Sequence, residues 1–259
     1  MKRTVCFAGK GGVGKSSSLI LFLRYLISKY PKEKKLVVDA DPDANILDLI
    51  NEELNLYGTV GGEIIELKKR IDRNEVPPNM SERNLVEQTI LKSVKNTKHF
   101  DVVVQGRREG EGCYCSVNNV LTSVIDTLED MYDFILIDSP AGLEFFSRKT
   151  TKNVDDLILV TDTSKMSFHT IERLMEITKE VKSNFKNIWV LVNKFNSDSK
   201  EPFIERIKEY SNGKAKLLGF LQYNEEIQRI NFEEKSLLDL PETNSTYQEA
   251  KLVFSKLFS

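Results

Sequence analysis

Gly9-Lys10-Gly11-Gly12-Val13-Gly14-Lys15-Ser16 is the stretch that decides the fold. It matches the phosphate-loop pattern G-x-x-x-x-G-K-[ST], and it lies between a short apolar run at residues 4–8 and a helical pattern at residues 15–29. Glycines let consecutive backbone N–H groups face one anion, and the start of the helix adds the positive end of its dipole. The alternative is a glycine-rich turn without a ligand. The complete match between strand and helix favours a phosphate site.

The loop predicts a set of ATP ligands. We expect Lys15 to reach the β- and γ-phosphates and the Ser16 hydroxyl to coordinate Mg²⁺. The other nucleotide-binding positions of the loop are predicted to be Gly11, Gly12, Val13, Gly14 and Ser17.

Short β-branched runs alternate with helical patterns along the chain. Strands are predicted at residues 4–8, 35–40, 101–105, 134–138, 156–161, 188–193 and 216–221. Helices are predicted at residues 15–29, 117–130, 169–183 and 201–211. This alternation predicts an α/β fold, a mostly parallel sheet of about seven or eight strands with helices on both faces. Residues 55–99 are predicted to form surface helices and loops, and no linker divides the chain, so we expect one domain over residues 1–259.

Composition narrows the class of protein. The 259 residues carry 37 Lys and Arg against 39 Asp and Glu, a net charge of -2, so no overall field attracts nucleic acid or an anionic membrane. Hydrophobic residues at 40% fit a globular chain, and no apolar run approaches the ~18 residues of a membrane span. Three cysteines are too few for a disulfide framework. We therefore expect a cytoplasmic protein with no nucleic-acid or membrane partner.

One carboxylate follows directly from a strand pattern. Phe134-Ile135-Leu136-Ile137-Asp138 is an apolar run closed by an aspartate, which is how a buried strand delivers a carboxylate to a magnesium site. Asp138 is therefore the predicted second magnesium ligand beside Ser16.

The form K-G-G-V-G-K-S resembles the deviant phosphate loop of the superfamily of MinD, ParA, the arsenical pump and the nitrogenase iron protein. The resemblance implies that Lys10 acts at the nucleotide of the second subunit of a homodimer, although a solvated loop lysine is the alternative. Asp39-Ala40-Asp41-Pro42 looks like the first switch of that family, which implies that Asp41 orients the attacking water. An acidic residue after a strand can instead cap the next helix, and this is the alternative for Asp43.

Two later stretches extend this resemblance. Ser139-Pro140-Ala141-Gly142 is similar to the second switch of MinD-like proteins, where the Gly142 backbone would sense the γ-phosphate. Asn193 stands where the family uses an asparagine to bind adenine. Lys10, Lys15 and Asp41 are thus the implied catalytic residues.

Cys113-Tyr114-Cys115 predicts a second kind of site. Two thiols one residue apart do not easily form a disulfide with each other, and their predicted place near a helix start favours thiolates that bind metal. A soft divalent ion usually takes four ligands, so a two-fold dimer would supply the other two. The alternative is a pair of half-buried cysteines without a ligand. Cys6 lies within the first strand and is predicted to be a core residue.

The string G-R-x-E-x-x-G-C-Y-C-x-x-N-N-x-L at residues 106–121 is similar to the CooC-type ATPases that mature nickel enzymes such as carbon monoxide dehydrogenase. That resemblance implies an ATP-dependent metallochaperone whose dimer shares one Ni²⁺ or Zn²⁺ ion between Cys113 and Cys115 of both subunits. One departure is Asp138-Ser139-Pro140-Ala141-Gly142, where those proteins commonly carry D-x-E-A-G.

Two other functions remain open at this point. A MinD- or ParA-like spatial regulator would need a basic amphipathic tail or a basic surface, whereas the tail at residues 247–258 has only two lysines and is predicted to pack on the sheet. An iron-sulfur carrier would hold its cluster on the two-fold axis, but related scaffolds use other cysteine spacings.

Overall fold

A computed structural model describes residues 2–41, 44–52, 58–76, 81–106, 125–141, 154–180 and 185–259. Within these ranges one sheet is formed by β1 (Arg3–Ala8), β2 (Lys35–Asp39), β3 (Lys95–Asn96), β4 (Asp101–Val104), β5 (Phe134–Asp138), β6 (Asp156–Thr161), β7 (Asn187–Phe195) and β8 (Lys216–Gln222). The lateral order is β3-β4-β2-β5-β1-β6-β7-β8.

The sheet is parallel except at one edge, where β3 pairs antiparallel with β4. The predicted fold class is therefore confirmed. The sequence patterns did not predict β3, because a strand of only two residues is too short to show an alternating pattern. Parallel pairing brings the carboxyl ends of β1, β2, β5 and β6 to the same edge of the sheet.

The described helices are α1 (Lys15–Lys29), α2 (Asn45–Leu49), α3 (Val60–Asp72), α4 (Glu82–Lys92), α5 (Lys165–Glu180), α6 (Glu201–Tyr210), α7 (Glu225–Phe232) and α8 (Ser245–Ser255), with 3-10 turns at Leu237–Asp239 and Lys256–Phe258. The bounds of α1 match the prediction. Helix α5 begins before the predicted residue 169, because the Ser164 hydroxyl accepts the Ser167 N–H ahead of the first apolar repeat. Of the predicted helix at 117–130, residues 117–124 lie outside the described residues, and residues 125–128 are helical.

Helices cover both faces of the sheet. In β1, Val5 and Phe7 pack into one apolar core with residues of α1, α2, α7 and α8. Cys6 and Ala8 pack into the other core with residues of α3, α4, α5 and α6. Cys6 is fully buried, which confirms its core assignment, and burial raises the pKa of its thiol. Alternation along a strand thus builds two cores from one run.

The tail predicted to pack on the sheet does so. Tyr247 and Phe254 of α8 are fully buried, and Phe254 lies with its ring centroid 4.9 Å from that of Phe22 in α1. The helix approaches β8 so closely that a Cβ on Gly219 would lie 2.5 Å from a methyl carbon of Val253. Within the described part of the chain, no helix is long and apolar enough to cross a membrane.

Candidate active site

The phosphate loop joins β1 to α1 at the carboxyl edge of the sheet. Gly14 is the N-cap of α1 in the left-handed region (φ 89), without a side-chain cap for the helix. A Cβ at this position would lie 2.3 Å from Nδ2 of Asn193, so both the backbone angle and the neighbouring amide require glycine. The uncapped start of a helix leaves N–H groups for an anion.

Lys15 and Ser16 lie in the first turn of α1 and line a cleft of about 580 Å³. Lys15 is only 7% exposed, an unusual burial for a lysine. The Ser16 hydroxyl donates a hydrogen bond to Oδ2 of Asp138 at 2.6 Å. The structure thus brings together the two residues that were predicted as magnesium ligands from stretches 122 residues apart.

Asp138 is completely buried at the end of β5. Burial raises the pKa of its carboxyl to about 6, opposed by the Ser16 hydrogen bond and the Lys15 charge and assisted by Asp41. Its other oxygen, Oδ1, has no hydrogen-bond partner among the described residues. A buried oxygen without a donor fits Mg²⁺, which takes one or two protein oxygens and completes its shell with phosphate and water.

Asp39 is a buried carboxylate that the sequence patterns left without a role. It lies at the end of β2, in register with Asp138 on the neighbouring strand. Its two oxygens accept the N–H groups of Asp41 at 3.1 Å and Ile46 at 3.0 Å. Burial, with Asp138 as the next cause, raises the pKa of Asp39 to about 8. The strand-end rule that identified Asp138 would have identified Asp39 as well.

Asp41 follows β2 and lines the same cleft as the phosphate loop. Its charge raises the pKa of both Asp39 and Asp138, so three carboxylates lie close together at the carboxyl ends of β2 and β5. Pro42 and Asp43 lie outside the described residues, and the chain resumes at Ala44, with φ 53, before α2. The geometry places Asp41 beside the predicted phosphate site.

Most of the remaining predicted nucleotide ligands line the cleft as well, namely Gly11, Gly12, Gly14, Ser17 and Asn193. Val13 is buried behind the loop, where its carbonyl accepts a hydrogen bond from Nδ2 of Asn193 at 2.9 Å. Lys10 is exposed at the tip of the loop. Its predicted target is the nucleotide bound by the second subunit of a homodimer.

The opposite wall of the cleft was not predicted. It is formed at the end of β8 and along α7, by Gln222, Tyr223, Asn224, Ile227, Gln228 and Asn231. These amides and the half-exposed Tyr223 ring suit a base and a ribose better than phosphates. The carboxyl-end rule for parallel sheets, applied to the strand predicted at 216–221, would have found the first of them.

The predicted metal ligands Cys113 and Cys115 lie outside the described residues, as does Gly142. The described segment that leads to the cysteines ends at Gly106, just beyond β4. Among described residues, no group of three or more His, Cys, Asp or Glu side chains is arranged to hold a metal ion.

Comparisons with known proteins place these features in a family. A family model described as an AAA domain matches residues 1–190. An uncharacterized ATP-binding protein of Methanocaldococcus jannaschii is 38% identical over 98% of both chains. The carbon monoxide dehydrogenase accessory protein CooC of Rhodospirillum rubrum is 25% identical over 91% of this chain and 89% of its own. A ParA family ATPase from Chlorobium tepidum shares the fold, with a TM-score of 0.69, 16% identity and coverage of 97% and 99%.

Proposed function

The chain belongs to the AAA domain family of P-loop ATPases, the MinD and ParA group, and from that premise we propose that it is an ATP-dependent metallochaperone. Its proposed cargo is Ni²⁺, which it would insert into a carbon monoxide dehydrogenase-type enzyme. The observation that carries this proposal is the C-x-C segment at Cys113 and Cys115, which follows β4, a strand that ends at the same sheet edge as the ATP cleft. Similarity to CooC over most of both chains supports it.

The proposed ATP step uses the residues of the cleft. Lys15 would bind the β- and γ-phosphates, and Ser16 with Asp138 would hold Mg²⁺, which neutralises charge on the phosphates when bound. Asp41 would orient the water for in-line attack at the γ-phosphorus. Lys10, exposed at the loop tip, would reach the nucleotide of the second subunit in a homodimer. Asn193 would contact the adenine.

One domain over residues 1–259 is part of this proposal. Strands from Arg3 to Gln222 contribute to one sheet, and α8 packs against β8, which supports a single unit. The same packing argues against the spatial-regulator alternative in its membrane-binding form, because Tyr247, Val253 and Phe254 of α8 are buried within the protein and Leu252 is the one large apolar side chain of the helix that is exposed. A free amphipathic tail would leave its whole apolar face exposed.

Metal titration tests the proposed cargo site. If two C-x-C segments share one ion, Ni²⁺ or Zn²⁺ should saturate at one ion per two chains, because an isologous interface presents the same ligands twice. Cys113→Ser or Cys115→Ser should then abolish metal-dependent dimerisation, since each change removes two of four ligands. Native mass spectrometry and sizing would report both quantities. The buried Cys6 offers the matched control, and Cys6→Ala should retain the stoichiometry.

The titration should be repeated with a non-hydrolysable ATP analogue. Metal and ATP that favour the same dimer must each tighten binding of the other, by about 1–3 kcal/mol for a typical coupled pair. One ion per chain, or a Cys113→Ser protein that still dimerises around metal, would contradict the shared site. A brown protein with bound iron would indicate the iron-sulfur carrier, and ATP-dependent sedimentation with liposomes or DNA would indicate the spatial regulator.

A further inference from the structure

The end of β7 contains an irregularity beside the phosphate loop. Pairing with β8 shifts register between Val192 and Phe195, and Lys194 has φ 53 in the left-handed region. Consecutive residues of a regular strand point to opposite faces of the sheet. Here two consecutive side chains reach the same loop instead: Asn193 donates to the Val13 carbonyl at 2.9 Å, and the Lys194 ammonium donates to the Gly12 carbonyl at 2.8 Å.

These two hydrogen bonds determine which way two peptide units face. The Gly12 carbonyl shares its peptide with the N–H of Val13, and the Val13 carbonyl shares its peptide with the N–H of Gly14. The described chain contains no cis peptide, so carbonyl and N–H point in opposite directions in each unit. With both carbonyls held toward β7, the N–H groups of Val13 and Gly14 point away from β7, as the cradle for phosphates requires.

We propose that Asn193 and Lys194 form a loop clamp, a pair of positioning residues that fixes the phosphate loop for the β- and γ-phosphates before ATP binds. A loop rich in glycine loses much conformational freedom when it is ordered, so contacts that order it in advance strengthen ligand binding. Donation to a carbonyl also polarises its peptide and strengthens the N–H on the other side. The Oδ1 atom of Asn193 remains available for the adenine contact proposed above.

The backbone of Lys194 supports a role beyond packing. A lysine in the left-handed region is strained, and such strain persists where the surroundings impose it, often beside functional sites. Bulges likewise occur next to active sites, where they redirect a side chain. The loop clamp concerns the ATP step and is independent of the proposed metal site, so either can fail without the other.

Three substitutions at Lys194 separate the effect of its hydrogen-bond donor from the effect of its backbone strain. Lys194→Met keeps the length but removes the ammonium, Lys194→Gly removes the ammonium and relieves the strain, and Lys194→Arg keeps a cationic donor. Affinity for a non-hydrolysable ATP analogue and for AMP would be measured by calorimetry, together with the melting temperature of the nucleotide-free protein. Lys214→Met, at an exposed lysine after α6, is the matched control.

The Met and Gly variants should bind the ATP analogue at least about tenfold more weakly, as expected for loss of a hydrogen bond from a charged group. Their affinity for AMP, which lacks the β- and γ-phosphates, should stay within about twofold of the wild type. Lys194→Arg should recover most of the loss, and Lys194→Gly should melt no lower than Lys194→Met.

Two results would overturn the loop clamp. The first is binding of the ATP analogue by both Lys194→Met and Lys194→Gly at wild-type affinity. The second is an equal loss of ATP and AMP binding together with a lower melting temperature, which would assign Lys194 to the stability of the fold.

Discussion

Asp138 and Asp156 are both completely buried, and they lie on the two strands that flank β1. Asp138 is at the carboxyl ends of the parallel strands and Asp156 is at their amino ends. Asp156, at the amino end of β6, accepts hydrogen bonds from Arg3 at 2.6 Å, Trp189 at 2.8 Å and Asn187 at 3.2 Å. Asp138, at the carboxyl end of β5, accepts one from Ser16, and its second oxygen has no partner among the described residues. One carboxylate is saturated with donors and the other is not.

The number of hydrogen bonds to a buried carboxylate distinguishes one that stabilises the fold from one that binds a ligand. A saturated, ion-paired carboxylate such as Asp156 contributes to the fold, because removing it would leave a largely buried cation and two donors unpaired. An undersatisfied one such as Asp138 costs stability, and proteins retain that cost where a ligand or metal ion completes the site. We therefore expect substitutions at the two ends of the sheet to separate stability from ATP chemistry.

The largest effect is expected at the carboxyl end, from Lys15→Ala. The nearly buried ammonium is the charge that we expect to meet the β- and γ-phosphates, so ATP binding should fall by about a hundredfold or more. Calorimetric titration with an ATP analogue would measure it. Lys29→Ala, at the exposed far end of the same helix, is the control and should bind normally. ATP hydrolysis by Lys15→Ala at the wild-type rate would refute the phosphate site.

Asp156→Ala should have the largest effect on the fold. Loss of a buried ionic partner costs about 3–5 kcal/mol in the free energy of unfolding, because the largely buried Arg3 guanidinium would lose its counter-ion. Urea denaturation followed by circular dichroism would measure it. Lys186→Ala removes the neighbouring exposed ion pair with Asp155 and should lower the free energy of unfolding far less than Asp156→Ala does, because solvent screens the exposed ammonium. Equal effects of the two changes would remove the contrast between the two aspartates.

Asp138→Asn should act in the opposite direction on stability. Its amide oxygen still accepts the Ser16 hydroxyl, while the desolvated charge is gone, so the free energy of unfolding at pH 8 should rise by about 1–3 kcal/mol. Magnesium-dependent hydrolysis should nevertheless be lost. A lower free energy of unfolding would show that the Asp138 charge stabilises the fold, and it would contradict the expectation that this buried charge costs stability.

The stability difference between Asp138→Asn and the wild type should depend on pH. Because the folded pKa of Asp138 lies above the ordinary value of 3.8, its protonated form stabilises the folded state at low pH, and that stabilisation is lost as the pH rises through about 6. The advantage of Asp138→Asn over the wild type should therefore grow between about pH 4 and pH 7. Urea denaturation of both proteins across this range would measure it, and a constant difference would argue against a raised pKa.

Sequence patterns were most successful where the chemistry is local. The loop at residues 9–16, the bounds of α1 and the strand that ends at Asp138 each depend on neighbours within one strand, loop or helix. Sequence patterns missed Asp39 although the same strand-end rule applies to it, and they failed for Lys194, whose function depends on a partner far away in the sequence. The Gly12 carbonyl that Lys194 binds lies 182 residues earlier, so no local pattern marks this lysine.

The sequence by itself determined the α/β class, the phosphate loop and the carboxylate that faces it, because hydrophobic periodicity and glycine placement act through the backbone of adjacent residues. Only the tertiary structure decided which strands are neighbours. The lateral order of the sheet joins Asn193 and Lys194 to loop residues 180 and 182 positions earlier, and it places Asp39 beside Asp138. No local pattern encodes that order, because it follows from how the two apolar cores pack on the two faces of the sheet.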